Sequence, residues 1–146
     1  MIFHGTKTYL SNNLFRLVSR ENQFNLIFDG NACPFKDFIK YSDGIFIKHI
    51  DKSEIENAYS FETLAIYKNY RFQIDKVKGS KVLITTSDKK TYEELKLDFV
   101  ERGWYEKWVS ISELEKIWEE RKPSGLGFPY PKGLPEIEEI KINPEH

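Results

Sequence analysis

The chain has 146 residues, of which 40% are hydrophobic and 15% aromatic, so it can form one domain with a buried core and is not a disordered segment. Its 22 basic and 23 acidic side chains leave a net charge of −1, which excludes the broad positive field of general nucleic-acid coats. No apolar run reaches the roughly 18 residues of a membrane-spanning helix, and the first residues do not form a secretory signal. We therefore expect a cytoplasmic protein that binds neither membrane nor nucleic acid directly.

The residue types that bind metals and cofactors are sparse. Cys33 is the single cysteine, which excludes an intrachain disulfide and a multi-cysteine zinc site. The three histidines, His4, His49 and His146, lack the spacing that places ligands on one helix face. No glycine-rich phosphate-binding motif is present. We expect no metal and no cofactor.

Residues 1–50 have the pattern of short strands separated by turns. Three β-prone runs alternate with Asn-rich and Gly-rich turn sequences, at residues 14–18, 24–28 and 45–47. Between the last two runs, Phe35, Phe38 and Ile39 are spaced as on one helical turn, although a loop with aromatic anchors has the same spacing. This part is therefore predicted to be β-rich.

The middle of the chain, about residues 53–87, is typical of an antiparallel meander. Residues 70–74 and 82–86 read as two strands of a hairpin whose turn contains Gly79. The preceding segment, 54–67, has apolar positions that fit either a strand or a helix. We favour a strand, because Lys68-Asn69 can form a tight turn directly into the hairpin.

A helix is predicted from residue 111 to 122. Ser110 and Glu113 form a capping box, in which each side chain bonds the other residue's backbone amide. The apolar side chains that follow lie on one helical face, at Ile111, Leu114, Ile117 and Trp118. Pro123 would end this helix.

After the helix, residues 123–135 contain four prolines and three glycines, which exclude a regular helix or a central strand. Their apolar side chains would anchor an extended arm on the body of the protein, at Leu126, Phe128, Tyr130 and Leu134. Residues 136–142 could then pair with a sheet edge. The predicted fold is α+β. It is a single domain over residues 1–146, with a β-rich part at 1–50, a meander and C-terminal amphipathic helix at 53–122, and an extended arm at 123–146.

Possible catalytic groups are few. Phe3-His4-Gly5-Thr6 resembles the His-Gly-Thr signature of ADP-ribosyltransferases, which would imply a small NAD-using enzyme centred on His4. The contexts of the second strand and of the catalytic glutamate in that family cannot be placed here. Cys33 and His49 could form a thiolate pair, but a lone cysteine before proline is more typical of a small buried hydrophobe. We expect a protein that is not an enzyme.

The most informative feature is an acidic stretch rich in aromatic residues. Residues 93–120 contain nine acidic and four basic side chains, a difference of five negative charges. The same stretch carries aromatic residues of the types that dominate binding hot spots, Trp104, Tyr105, Trp108 and Trp118. Such a surface would suit a basic protein partner. The alternative is that the tryptophans belong to the core and the acids form a solvated face.

Residues 101–123, followed by Gly127-Phe-Pro-Tyr-Pro, resemble small cytosolic immunity proteins of bacterial polymorphic-toxin and contact-dependent growth inhibition systems. The likeness is one of pattern and covers mainly residues 60–131. It implies a non-enzymatic inhibitor that binds and blocks one cognate toxin domain, often a nuclease. Candidate contact residues, chosen from the acidic aromatic stretch, are Glu101, Trp104, Tyr105, Glu106, Glu113 and Glu120. A second alternative is an interaction or scaffolding domain that docks through the arm at residues 123–135.

Overall fold

The computed structural model describes residues 1–145, and His146, one of the three histidines considered above, lies outside the described residues. Strands make up 54% and helices 9% of the described residues, and the helical share includes two 3-10 turns, Lys52–Glu54 and Ile111–Glu113. The strands are β1 (His4–Leu10), β2 (Asn13–Arg20), β3 (Gln23–Asp29), β4 (Ile39–Ser42), β5 (Ile45–Ile50), β6 (Tyr59–Tyr67), β7 (Tyr70–Lys78), β8 (Lys81–Thr86), β9 (Asp98–Glu101), β10 (Trp104–Ser110), β11 (Lys116–Pro123) and β12 (Ile137–Glu139). One short helix, α1, spans Lys89–Leu95. The α+β prediction with a C-terminal helix is therefore wrong, because the described residues form a mostly antiparallel sheet with one short α-helix at Lys89–Leu95.

Contacts divide the chain into two compact units. The β1–β5 unit consists of Gly5–Ser60 together with Lys122–Leu134. The β6–β12 unit consists of Met1–His4, Phe61–Arg121 and the stretch from Pro135 onward. Each unit has its own hydrophobic cluster, one around Leu26 and the other around Phe72.

The β1–β5 unit is an antiparallel sheet in the order β4-β5-β3-β2-β1. Two of its hairpin turns, Ser11-Asn12 and Glu21-Asn22, have both residues at positive φ, a conformation that asparagine tolerates better than most residues. This agrees with the predicted β-rich part at residues 1–50. The segment between β3 and β4 is the loop with aromatic anchors, since the Phe15 ring lies 5.1 Å from that of Phe35 and 5.4 Å from that of Phe38.

The arm packs on this same unit. Leu126 and Phe128 join the cluster around Leu26, and the Phe128 ring lies 5.5 Å from that of Phe24. The Ala58 amide donates to the Pro129 carbonyl at 3.0 Å. Anchoring of the arm through its apolar side chains is thus confirmed. Its Tyr130 ring contacts that of Tyr59 at 6.3 Å, and Leu134 is partly buried.

The β6–β12 unit contains the predicted meander. Its strand order is β11-β6-β7-β8-β10-β9, with β12 paired to the outer side of β11. The β7–β8 hairpin turns at Gly79, which has φ +59°, and the β6–β7 turn is Lys68-Asn69, with φ of +48° and +68°. The predicted hairpin with its turn at Gly79 and the predicted tight turn at Lys68-Asn69 are both confirmed. The predicted pairing of residues 136–142 with a sheet edge is confirmed over a shorter segment, since β12 pairs with β11.

The predicted helix over residues 111–122 is wrong. The capping box exists, but it closes only one 3-10 turn, Ile111–Glu113, after which Leu114 is already extended at φ −79° and ψ 129°. Strand β11 follows and pairs with β6 and β12. Pairing on both sides satisfies its backbone groups, and this tertiary constraint outweighs helix propensity.

Side-chain pairs two residues apart explain why this segment is stable as a strand. Arg121 donates to Glu119 at 2.6 Å and to Glu138 of β12 at 2.7 Å, and the Trp118 indole donates to Glu120 at 3.1 Å. Residues at i and i+2 share a face of a strand but not of a helix. Burial acts to lower the pKa of the Arg121 guanidinium, but the bonds to Glu138 and Glu119 outweigh it and the pKa is raised.

The helix that does form, α1, was not predicted. Asp88 caps it by accepting from the Thr91 amide at 3.3 Å and from the Thr91 hydroxyl at 2.6 Å. Lys96 ends it in the left-handed conformation, at φ 53° and ψ 52°. Exposed Lys–Glu pairs four residues apart, at 89/93 and 90/94, support it weakly. The helix packs on the core face of the β6–β12 sheet through Tyr92 and Leu95.

Candidate protein-binding surface

Strand β10 presents alternating faces. Tyr105 and Val109 are buried in the cluster of the β6–β12 unit, at 5% and 3% exposed. Because side chains alternate along a strand, Trp104, Glu106 and Trp108 point to the opposite face. Trp104 is 43% exposed and Trp108 38%, which is unusual for the largest apolar side chain. The strand therefore carries a tryptophan–glutamate–tryptophan stripe on its outer side.

Strand β9 places two more carboxylates beside this stripe. Asp98 lies directly opposite Glu106 in the β9–β10 register, and Glu101 lies opposite Trp104. A β-bulge between Trp104 and Tyr105 shifts the register there. Like charges in directly opposed positions of a sheet are destabilising. We call the five residues Asp98, Glu101, Trp104, Glu106 and Trp108 the acidic aromatic surface.

The three carboxylates of this surface are not paired with a cation in the part of the chain that the structure describes. Within residues 1–145, neither Asp98, Glu101 nor Glu106 forms an ion pair within 4.0 Å. By contrast, Glu120 is paired with Arg71 at 2.9 Å. These carboxylates are thus free to interact with solvent or with a partner.

Tyr105, one of the six candidate contact residues, is part of the core. Its ring stacks on that of Tyr92 of α1, with centroids 4.2 Å apart and planes 15° from parallel. The Phe99 ring lies 5.9 Å away on the same side. Tyr105 therefore fixes β10 against α1, and the partner-facing positions are its neighbours on the strand.

Two further candidates are engaged elsewhere in the β6–β12 unit. The Glu113 carboxylate accepts from the Ser110 amide at 3.2 Å and so stabilises the 3-10 turn. Glu120 lies on β11, which β6, β7 and β8 separate from β10. The structure therefore brings Glu101, Trp104 and Glu106 together, and it does not bring Glu113 or Glu120 to them.

Sequence reasoning left two members of the surface out of the candidate contacts, namely Asp98 and Trp108. Both lie in the acidic stretch at residues 93–120. The alternation Trp104, Glu106, Trp108 in the sequence could have placed Trp108 on the same face as Trp104, once the segment was read as a strand. The pairing of Asp98 with Glu106 depends on the β9–β10 turn and its bulge, which the sequence did not reveal.

Two separate catalytic possibilities concerned His4, as the centre of an NAD-using enzyme, and Cys33 with His49, as a thiolate pair. His4 has a side chain 70% exposed, with its Nε2 atom 3.9 Å from Asp75. His49 lies 3.8 Å from Asp51, and the Cys33 thiol donates to the Phe35 carbonyl at 3.7 Å.

Residues 1–145 contain no group of three His, Cys, Asp or Glu side chains placed to hold a metal ion. None of their helices is long and apolar enough to cross a bilayer.

Comparison with known proteins places the chain in a family. The family described as Uncharacterised conserved protein UCP033725 matches residues 3–125. The chain belongs to this family. The match includes β1 to β11 entire, and therefore the whole acidic aromatic surface. No curated protein and no solved structure matches the chain.

Proposed function

We propose that this chain is a cytoplasmic immunity protein that binds one cognate toxin domain, a nuclease, and blocks its active site without catalysing any reaction. The observation that carries the proposal is the acidic aromatic surface, in which three carboxylates without an ion pair share the β9–β10 hairpin with two exposed tryptophans. The resemblance of residues 60–131 to immunity proteins of toxin systems supports the same function.

The chemistry of this surface suits the substrate cleft of a nuclease. Such a cleft carries lysine and arginine to bind phosphates, so carboxylates can occupy it as phosphate mimics. Trp104 and Trp108 supply the large apolar contacts that give binding hot spots their energy. The carboxylates would also accelerate association by attracting the basic partner at a distance.

The repulsion between Asp98 and Glu106 gives this surface a preference for cations. Asp98 and Glu106 are directly opposed in the β9–β10 register, and neither forms an ion pair within 4.0 Å among residues 1–145. A lysine or arginine of the partner would relieve that repulsion and form charge-assisted hydrogen bonds. An acidic face that served only to keep the protein in solution would gain nothing from two exposed tryptophans.

The scaffolding alternative is less well supported, because the arm is already occupied. Leu126 and Phe128 are packed in the cluster of the β1–β5 unit, so those two apolar side chains are not available to another protein. The charges and exposed aromatics favour the β9–β10 hairpin as the docking element.

The test is binding to the product encoded immediately upstream of this chain's gene. The two proteins should co-purify, and expression of this chain should protect a host cell from that product. Trp104→Ala should weaken the binding measured by calorimetry by roughly tenfold or more. Tyr41→Ala is the matched control, because Tyr41 is an exposed aromatic residue, at 74%, on β4 of the other unit. We expect less than a twofold change for the control. Failure of the wild-type protein to bind, or equal effects of the two substitutions, would contradict the proposal.

A further inference from the structure

Strand β9 is an edge strand of the β6–β12 unit. It ends the strand order of that unit and pairs with β10 on one side. All four of its residues are exposed, and the two apolar ones, Phe99 and Val100, are 60% and 43% exposed. The far side of an edge strand presents backbone N–H and C=O groups that an added strand can pair with.

We propose that the toxin domain docks by adding an extended, basic segment to the free edge of β9. This inference rests on the proposed function and deepens it, because it names the part of the partner that is recognised and how. Backbone hydrogen bonds to β9 would fix the direction and register of the added segment. Its alternate side chains would then lie beside Asp98 on the outer face and beside Phe99 on the other.

Charge selects the occupant of this edge. Two copies of the chain pairing through β9 would bring the carboxylates of one copy, Asp98 and Glu101, close to those of the other, which like-charge repulsion disfavours. A segment with lysine or arginine on its outer face would instead meet Asp98, with Glu106 one strand further. The partner strand is therefore a basic one from another protein.

A sheet edge in the β1–β5 unit shows the contrast. Strand β4 ends the order of the β1–β5 unit and is also fully exposed. Its Lys40 is paired with Asp43 at 3.1 Å, so this edge is locally neutral. It lacks the unpaired acidic charge that would draw a basic strand. The β4 edge therefore serves as an internal control for edge pairing.

The experiment combines hydrogen exchange and charge reversal on the full chain with the upstream-encoded toxin domain. In the complex, amides of residues 98–101 should exchange at least about tenfold more slowly than in the free protein, whereas those of residues 39–42 should not change. Asp98→Lys should weaken binding by roughly tenfold or more. Asp43→Lys introduces the same charge change at the β4 edge and should alter binding less than twofold.

The outcomes separate the two proposals. Slower exchange confined to β9, together with the loss in Asp98→Lys, supports strand addition. Binding of unchanged affinity in Asp98→Lys, with no protection of residues 98–101, overturns strand addition and leaves the immunity function standing. If the wild-type chain does not bind the toxin domain at all, the proposed function fails, and strand addition fails with it. Thermal melting of Asp98→Lys checks its folding, and we expect no loss, because the introduced ammonium group would face Glu106 favourably.

Discussion

Trp104 and Tyr105 are adjacent in sequence, and the structure gives them opposite roles. Tyr105 is 5% exposed and stacks on Tyr92, whereas Trp104 is 43% exposed on the outer face. Alanine substitution should therefore separate stability from binding. We expect Tyr105→Ala to destabilise the protein and Trp104→Ala to weaken the proposed interaction with a toxin domain.

The magnitudes follow from burial. Truncating a buried aromatic side chain to alanine costs about 3–5 kcal/mol, and the ring stack contributes about 0.5–1.5 kcal/mol of that. In a chain of this size, such a loss lowers the melting temperature by about 10 °C. The half-exposed Trp104 has less contact to lose, and we expect Trp104→Ala to cost about 1 kcal/mol of stability. Its effect on binding should reach about 2 kcal/mol, roughly a 30-fold change in affinity.

Urea unfolding followed by far-UV circular dichroism measures the change in stability. Calorimetry with the proposed toxin domain measures the change in affinity. Circular dichroism is preferred to fluorescence because Trp104 is itself a fluorophore. Tyr105→Phe is the control, since it keeps the stacked ring; its stability should lie within about 1 kcal/mol of the wild type and its affinity should be unchanged. The assignment of faces on β10 would be refuted if Trp104→Ala proved the more destabilising change.

Three further predictions concern the elements that hold the β6–β12 unit together. Glu113→Ala should lower the free energy of unfolding in urea by about 0.5–1 kcal/mol. The helical far-UV signal should not fall, because the capping box closes only a 3-10 turn. A loss of helical signal would instead favour the helix predicted over residues 111–122. The hydrogen bond from the Thr91 hydroxyl lowers the pKa of Asp88 from its usual 3.8. Ionised Asp88 therefore stabilises the fold fully above pH 3.8, and this stabilisation is lost as the pH falls through the lowered pKa of the folded state. Asp88→Asn should accordingly flatten the dependence of melting temperature on pH in the acid range, and an unchanged slope would contradict this. Arg121→Ala leaves Glu119 unpaired and should lower the free energy of unfolding in urea by about 3 kcal/mol. Arg121→Lys should recover part of this loss. Equal stability of the wild type and both variants would contradict a stabilising role for the Arg121–Glu119 ion pair.

Local turn chemistry made the hairpins predictable. Lys68-Asn69 and Gly79 specify tight turns through positive φ, and the alternating strands on either side follow from residue type. The helix over 111–122 failed for a different reason. A capping box specifies how a helix begins, but residues after Glu113 are decided by pairing with β6 and β12, which lie about 50 residues earlier and 20 later in the sequence.

The candidate site was predictable in composition but not in geometry. The excess of acid and the tryptophans identified the region, and Glu101, Trp104 and Glu106 do lie together. The alternation of side chains along β10 buries Tyr105. Long-range register decides which carboxylates remain unpaired. An ion pair with Arg71 removes Glu120 from the unpaired set, and no local pattern reveals a partner 49 residues away.

The order in which the segments enter the two units constrains how the protein can fold during synthesis. The cluster of the β1–β5 unit includes Phe128, and that of the β6–β12 unit includes both Phe3 and Ile142. A ribosome must therefore synthesise the chain beyond Phe128 before the first cluster can be completed, and beyond Ile142 before the second can. A chain that stopped just after β11 would leave both clusters incomplete at once.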